Sequence, residues 1–342
     1  MTAGRSETDT TRGEARRVLV LGATGSIGQA ATAALVARGH RVVCLVRPRA
    51  GPGGRHDPAA IARLLPGAEL RFGEATDPGS LTQDGLAGER FDALVSCLAS
   101  RSGAPTDAWA VDHDAHLAAL DAARTAGVGH MVLLSAICVQ KPQLAFQHAK
   151  RAFEEALIAS GLTYSIVRPT AYFKSLSGQV ERVQRGKPFL VFGDGRLTAC
   201  KPISDADLGD FIAGCLDRAE RQNRILPIGG PGPAITPIDQ AQMLFRLLGR
   251  KPRIRHVPVG LLDAIVTTLS MLGRLSPRLA AKAELARIGR YYATESMLAL
   301  DPATGRYSAE ATPEWGTETL EAYQAALLRG EKTLERGDHA VF

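Results

Sequence analysis

The chain has 342 residues, 45% of them apolar and 22% charged, and its 41 Lys and Arg against 35 Asp and Glu give a net charge of +6. This is ordinary globular composition at a length too great for one small core, and it suits a nucleotide domain carrying a substrate lobe. Without a Lys/Arg run the mild basicity excludes nucleic acid as the expected partner, and it reads as a basic surface or as attraction for phosphates or a carboxylated substrate.

Residues 1–15, MTAGRSETDTTRGEA, are polar and read as a disordered tail, not a signal peptide. RVLVLG (Arg17–Gly22) is a buried strand, followed by an Ala-rich helix from Ser26 to Arg38 that stops at Gly39. RVVCLV (Arg41–Val46), ELRFGE (Glu69–Glu74), FDALVSCLA (Phe91–Ala99), HMVLLSA (His130–Ala136) and TYSIVRP (Thr163–Pro169) are the next five strands. A helix over Thr106–Ala126 and another beginning after Pro142 separate the last three. Six strands joined by helical crossovers predict an α/β fold, a Rossmann-type doubly wound parallel sheet over residues 16–170. Residues 171–342, with short strands in PFLVFG and RILPIG and helices at Ser204–Arg221 and Pro237–Leu248, are expected to form mainly a smaller C-terminal substrate lobe. Parts of this half are free to return to the sheet. The longest apolar segment, Val257 to Gly273, is broken by Gly260 and Asp263 and is short for a bilayer span, so it reads as a buried or surface-seeking helix. Cys44, Cys97, Cys138, Cys200 and Cys215 form no CxxC pair. No metal site is expected, and reduced thiols of a cytoplasmic protein are the default.

The run Gly22-Ala-Thr24-Gly25-Ser26-Ile27-Gly28 joins the first strand to the first helix. Gly22 allows the tight turn, Gly25 the approach of a pyrophosphate, and Gly28 close packing of helix on strand. The helix N-terminus then offers free N–H groups to the phosphates. At the end of the second strand, where an NAD enzyme usually places an acid, stands Arg47. A guanidinium pairs with a 2′-phosphate, so NADPH is the expected cofactor. Asp77, after the third strand, is a candidate adenine contact. Cys97, Leu98 and Ala99 are expected beneath the adenosine and pyrophosphate, and Pro169 is placed at the cofactor as well.

The glycine spacing with Arg47 resembles the extended and atypical short-chain dehydrogenase/reductases. The segments LLSAICVQKP (Leu133–Pro142), FQHAK (Phe146–Lys150), TYSIVRPTAYFKSLSGQV (Thr163–Val180), GKPFLVFGDG (Gly186–Gly195), ACKPISDADL (Ala199–Leu208) and YYATESML (Tyr291–Leu298) narrow this further. They resemble the divinyl chlorophyllide a 8-vinyl-reductase family. The resemblance implies NADPH-dependent reduction of a C8 vinyl group to ethyl in chlorophyll or bacteriochlorophyll synthesis, and hence a tetrapyrrole substrate. It leaves open the preference between chlorophyllide and protochlorophyllide, the oligomeric state, and peripheral contact with photosynthetic membranes.

Members of the superfamily usually place a Tyr four residues before a Lys, and here that position is Phe146. A carbonyl reductase or sugar-nucleotide epimerase, which needs the phenol, is disfavoured. Hydride addition to the terminal vinyl carbon leaves charge delocalised into the macrocycle, so no alkoxide has to be quenched. Lys150 is the leading catalytic candidate: it can hydrogen-bond the nicotinamide ribose and deliver a proton directly or through water. Ser135 resembles the superfamily's active-site serine, with a capping or turn serine as the other reading, and Tyr172 is a candidate substitute acid beside the commoner reading of a buried structural tyrosine. Phe146, Phe173 and Lys174 are the candidate substrate contacts, the two rings suiting a flat pigment or equally a hydrophobic core, and Lys174, with Lys201, suiting its propionate against the default reading of solvated lysines. Two other readings stand beside this one: a double-bond reductase of the isoflavone-reductase-like type, and a non-catalytic NADP-binding regulator or assembly factor.

Overall fold

The structure is a computed structural model that describes residues 14–50 and 56–333. The tail expected over residues 1–15 lies outside these, apart from Glu14 and Ala15. Strand β1 (Arg17–Leu21) is buried on both faces, as its unbroken apolar run requires. It is followed by α1 (Ser26–Ala37), β2 (Arg41–Val46), α2 (Pro58–Leu64), β3 (Glu69–Phe72) and a single turn, α3 (Pro78–Ser80). Strand β4 (Ala93–Ser96) is shorter than its apolar run. The helix expected over Thr106–Ala126 is three pieces: α4 (Pro105–Ala108), a π turn at Trp109–Asp114, and α5 (Ala115–Thr125). Strand β5 (His130–Leu134), α6 (Ala145–Ala159) and β6 (Thr163–Pro169) complete the six-strand series.

Beyond Pro169 come two short helices, α7 (Phe173–Leu176) and α8 (Val180–Gln184), then β7 (Phe189–Phe192) and α9 (Asp205–Ala213). Strand β8 (Arg224–Ile228) is the RILPIG segment expected in the smaller lobe. It instead lies parallel to β6, from Ser165 opposite Arg224 to Pro169 opposite Ile228. Its Pro227 has no N–H to donate, which is tolerated because β8 is an edge strand. The main sheet therefore has seven parallel strands in the order β3-β2-β1-β4-β5-β6-β8. Strand order reverses between β1 and β4, where open α/β sheets bind ligands at the carboxyl ends.

Each sheet face has its own core. Val18, Val20, Leu35, Val95 and Val132 pack with Leu208, Phe211 and Ile212 of α9 on one side. Leu19, Leu21, Leu94, Met131, Phe153 and Leu157 fill the other. Helix α9 rests directly on α1, because Gly209 has no side chain: a Cβ there would fall 2.5 Å from the Ala30 carbonyl carbon. The smaller lobe pairs β7 with β9 (Ile254–Val257) under α10 (Pro237–Leu247). Its core is Val183, Val191, Leu244 and Phe245. An antiparallel hairpin, α11 (Val259–Gly273) and α12 (Pro277–Thr294), projects from it. The chain ends through β10 (Ala299–Leu300), β11 (Tyr307–Ser308) and α13 (Leu320–Leu328).

Candidate active site

The turn between β1 and α1 is shaped by close approaches of backbone to backbone. Gly22 has φ +73°, and a Cβ there would meet the Cys97 carbonyl at 2.6 Å. At Gly28 a Cβ would fall 2.1 Å from the Gly22 oxygen. At Gly25 the nearest atom is 3.5 Å away, so the space over this residue is open. Gly25 also starts α1 with no side-chain cap, and no acid occupies the first turn. The first N–H groups and the positive dipole end are thus uncompensated by the chain, a fit to a pyrophosphate. Thr24 turns its carbonyl to Gln29, and Ile27 is buried in the core, so only its backbone faces this turn. Arg47 follows the last residue of β2, half-buried, beside the same end of the sheet. Asp77, expected at the adenine, is exposed and caps α3 through Gly79 N–H (2.9 Å). Cys97 N–H donates to Leu21 (2.9 Å), which carries Cys97, Leu98 and Ala99 across the carboxyl end of β1.

The second half of the site is made of buried polar side chains. Lys150, on α6, places Nζ 2.9 Å from Asp112 Oδ1, with side chains 11% and 0% exposed respectively. The Ser100 hydroxyl donates to Asp112 Oδ2 (2.6 Å) and its N–H to Oδ1 (3.2 Å). Burial alone would raise the Asp112 pKa, but the Lys150 charge and the Ser100 hydrogen bonds outweigh it and hold the carboxyl below its usual range. Asp112 sits in the π turn, and such turns recur at functional sites. Beside it, burial first and the Lys150 charge second depress His116 to about 4. The ring is therefore neutral: Nδ1 donates to the Val111 carbonyl (2.8 Å), and Nε2 accepts from the Ser96 hydroxyl (2.9 Å). Ser135, at the end of β5, is buried, and its Oγ has no hydrogen-bond partner among the described residues. A buried hydroxyl left unpaired costs about 1–3 kcal/mol.

The charge of Lys150 also bears on Cys97 and Cys138, whose thiols burial pushes up to about 12 and about 11. Those two cysteines bear in turn on Tyr172, whose phenol is raised mainly by burial and next by Asp205. Tyr292 of α12 has an exposed ring, but its hydroxyl meets the Cys138 thiol, and burial followed by Cys138 raises it well above the ordinary range. Lys150, Tyr172 and Tyr292 thus surround one patch at the carboxyl ends of β4–β6. Phe146 is half-buried there, packed with Ile137, Cys138, Ile288 and Tyr291. Pro169 is buried at the end of β6.

Three expected substrate contacts lie elsewhere. Phe173 is fully buried with its ring centroid 5.5 Å from that of Tyr323, so it serves the core between α7 and α13 and offers no face to a pigment. Lys174 Nζ stands 3.5 Å from Ser26 Oγ, at the first turn of α1. Lys201 is not a solvated lysine reaching for a propionate: it is buried and paired with Glu314 at 2.5 Å. The residues not foreseen, Asp112, Ser100, His116 and Tyr292, come from three segments; only Asp112 and His116 share one, four residues apart on the same helical run, and no sequence spacing links that run to Ser100 or Tyr292.

Over residues 22–219 the chain matches the family model described as NAD(P)H-binding. It is 50% identical over 331 residues to the chloroplastic divinyl chlorophyllide a 8-vinyl-reductase of Zea mays, covering 95% of this chain and 82% of that one. The corresponding protein of Arabidopsis thaliana is 46% identical over 319 residues, 91% of this chain and 76% of that one. Among solved structures, leucoanthocyanidin reductase of Vitis vinifera, determined with NADPH, superposes with a TM-score of 0.66 at 17% identity. The match covers 92% of this chain and 99% of that one, and it is a likeness of fold.

Proposed function

The chain belongs to the divinyl chlorophyllide a 8-vinyl-reductase family, and from that premise we propose how its residues carry out reduction of the C8 vinyl group to ethyl. It is an NADPH-dependent oxidoreductase of chlorophyll biosynthesis. Bound NADPH supplies the hydride. Gly22, Gly25 and Gly28 hold its pyrophosphate on the α1 terminus, and Arg47 pairs with the 2′-phosphate. Lys174, beside Ser26, neutralises the same phosphates rather than the substrate carboxylate.

The observation that carries the division of roles is the Lys150–Asp112 pair at 2.9 Å, one turn from a residue, Phe146, that has no proton to give. Asp112 and Ser100 fix the ammonium so that it orients the ribose and moves a proton, directly or through one water, to the carbon next to the macrocycle. The Ser135 hydroxyl, without a partner among the described residues, binds the ligand edge beside it. Phe146 and the apolar residues around it receive the flat ring and keep water from the reacting carbon. Raised as it is, the Tyr172 phenol stays protonated. The partner is a tetrapyrrole. Placement in the cytoplasm, with contact to photosynthetic membranes from one side, belongs to the same proposal. The test is purified protein incubated with NADPH and divinyl chlorophyllide or divinyl protochlorophyllide while the pigment spectrum is followed. A shift to the monovinyl spectrum, stoichiometric with NADPH oxidation, is expected for at least one pigment. NADPH oxidation without pigment change, or no reaction with either, overturns the assignment.

A further inference from the structure

The α11–α12 hairpin has an apolar surface that the other described residues leave uncovered. No residue of α11 is buried, although Val259–Gly273 carries only one charged side chain, Asp263. A helix that is apolar on all sides belongs inside a protein or at a membrane. One stripe of α11, formed by Leu262, Val266, Leu269 and Gly273, is half-buried against α12, where Gly273 backs on Ala280. The neighbouring stripe, about 100° round the helix, is Leu261, Ile265, Thr268, Leu272 and Leu275; it recurs at spacings of four and three and is exposed throughout. Exposure peaks at the tip, with Met271 at 66% and Leu275 at 84%.

Cations stand at both ends of this stripe. Arg274, Arg278 and Lys282 surround the tip, all exposed, and among the described residues none of them is ion-paired. At the other end, Lys251, Arg253 and Arg255 precede α11 and are exposed as well. The two acids of the hairpin are already matched, Asp263 to Arg290 and Glu284 to Arg287. Among the described residues no helix is long and apolar enough to cross a membrane. Fifteen residues of helix reach about 22 Å, against a hydrocarbon core of about 30 Å.

We propose that the α11–α12 hairpin lies in the interface of an anionic lipid bilayer, with Leu261, Ile265, Leu272 and Leu275 in the acyl boundary and Arg274, Arg278 and Lys251 on lipid phosphates. A second copy of the chain is the weaker occupant. Whether two such stripes pair parallel or antiparallel, cations at the end of one meet cations at the end of the other, with no acid to separate them. An anionic bilayer satisfies the stripe and both ends together. The surface is separate from Lys150, so its failure leaves the chemistry untouched.

The test is sedimentation of the full chain with vesicles of phosphatidylcholine alone and of phosphatidylcholine with phosphatidylglycerol, at low and high salt. Binding to the anionic vesicles, weakened by salt, is expected. Arg274→Gln and Arg278→Gln should each reduce it about fivefold. Leu272→Asp with Leu275→Asp should abolish it, while NADPH binding and thermal midpoint, which report folding, stay unchanged. The proposal is overturned if the unaltered chain ignores anionic vesicles, binds neutral ones equally well, or binds the same with the two aspartates. It is also overturned if light scattering shows a dimer that Leu275→Asp dissociates while vesicles are ignored.

Discussion

At the β1–α1 turn the chain presents backbone: three glycines, a bare helix terminus, and no side chain of the described residues within 4 Å of the space over Gly25. Beside α6 it presents side chains, an ammonium and a carboxylate almost wholly withdrawn from solvent and held by a serine. The first region excludes by shape and the second by charge. An added methyl group breaks the first and a removed charge breaks the second, so one substitution in each separates binding from chemistry.

The largest effect is expected on the side-chain end. Lys150→Ala should cut turnover by about 10²–10⁴-fold, the range for a positioned acid or its orienting group. Near-normal turnover at saturating NADPH would remove Lys150 from the chemistry and leave the pair structural. Next, Asp112→Ala should destabilise the fold by about 3–5 kcal/mol in urea unfolding, because the Lys150 ammonium is left without its counter-charge. Asp112→Asn, which preserves shape, should also lower turnover and alter its pH profile. An unchanged profile with a reduced midpoint would mark Asp112 as a structural residue only.

Smaller effects sharpen the backbone end. Gly28→Ala should cost about 1–3 kcal/mol and weaken NADPH, since its Cβ has to displace the Gly22 carbonyl. Gly25→Val should weaken NADPH while the thermal midpoint stays near that of the unaltered chain. Equal changes in midpoint for both would mean that Gly25 too serves packing. Arg47→Asp should cost NADPH about 1.5–3 kcal/mol of binding and NADH much less. Equal losses would show that Arg47 does not read the 2′-phosphate.

The remaining expectation concerns pH and falls on stability alone. His116 is depressed to about 4 from 6.5, and so is His130, mainly by burial and then by Arg16. Between these values the unfolded chain binds protons that the folded one refuses, so stability falls as pH falls from about 6.5 to about 4. Each histidine contributes up to about 1.4 kcal/mol per pH unit. A urea midpoint that is flat across this window would show that one or both rings are protonated in the fold.

Much of the fold was legible because its elements are local: buried strands are unbroken apolar runs, and the phosphate turn is a fixed spacing of glycines. The side-chain end was not. Lys150 finds Asp112 on a π turn 38 residues earlier, and nothing in AVDHDAH distinguishes that carboxylate from the exposed Asp114 two positions on. Phe173 and Phe146 looked alike as aromatics near strand ends, and only tertiary packing sends one into the core against Tyr323. Lys201 was misread because its partner, Glu314, arrives from a segment 113 residues away. Strand β8 was displaced from the lobe to the sheet because a proline-containing edge strand has no local signature of its neighbour.

That displaced strand makes the two lobes inseparable. The chain leaves the sheet after β6 to build β7, returns to lay α9 on α1 and β8 beside β6, departs again for β9 and the hairpin, and comes back to set Glu314 along Gly229. A fragment ending at Pro169 would bare the long hydrogen-bonding edge of β6 and uncover α1, inviting aggregation in place of a free-standing nucleotide domain. The halves are threaded through one another. A protease nick between β7 and α9 would leave two pieces that stay bound, and melting would report a single cooperative unit where the order of segments along the chain suggests two.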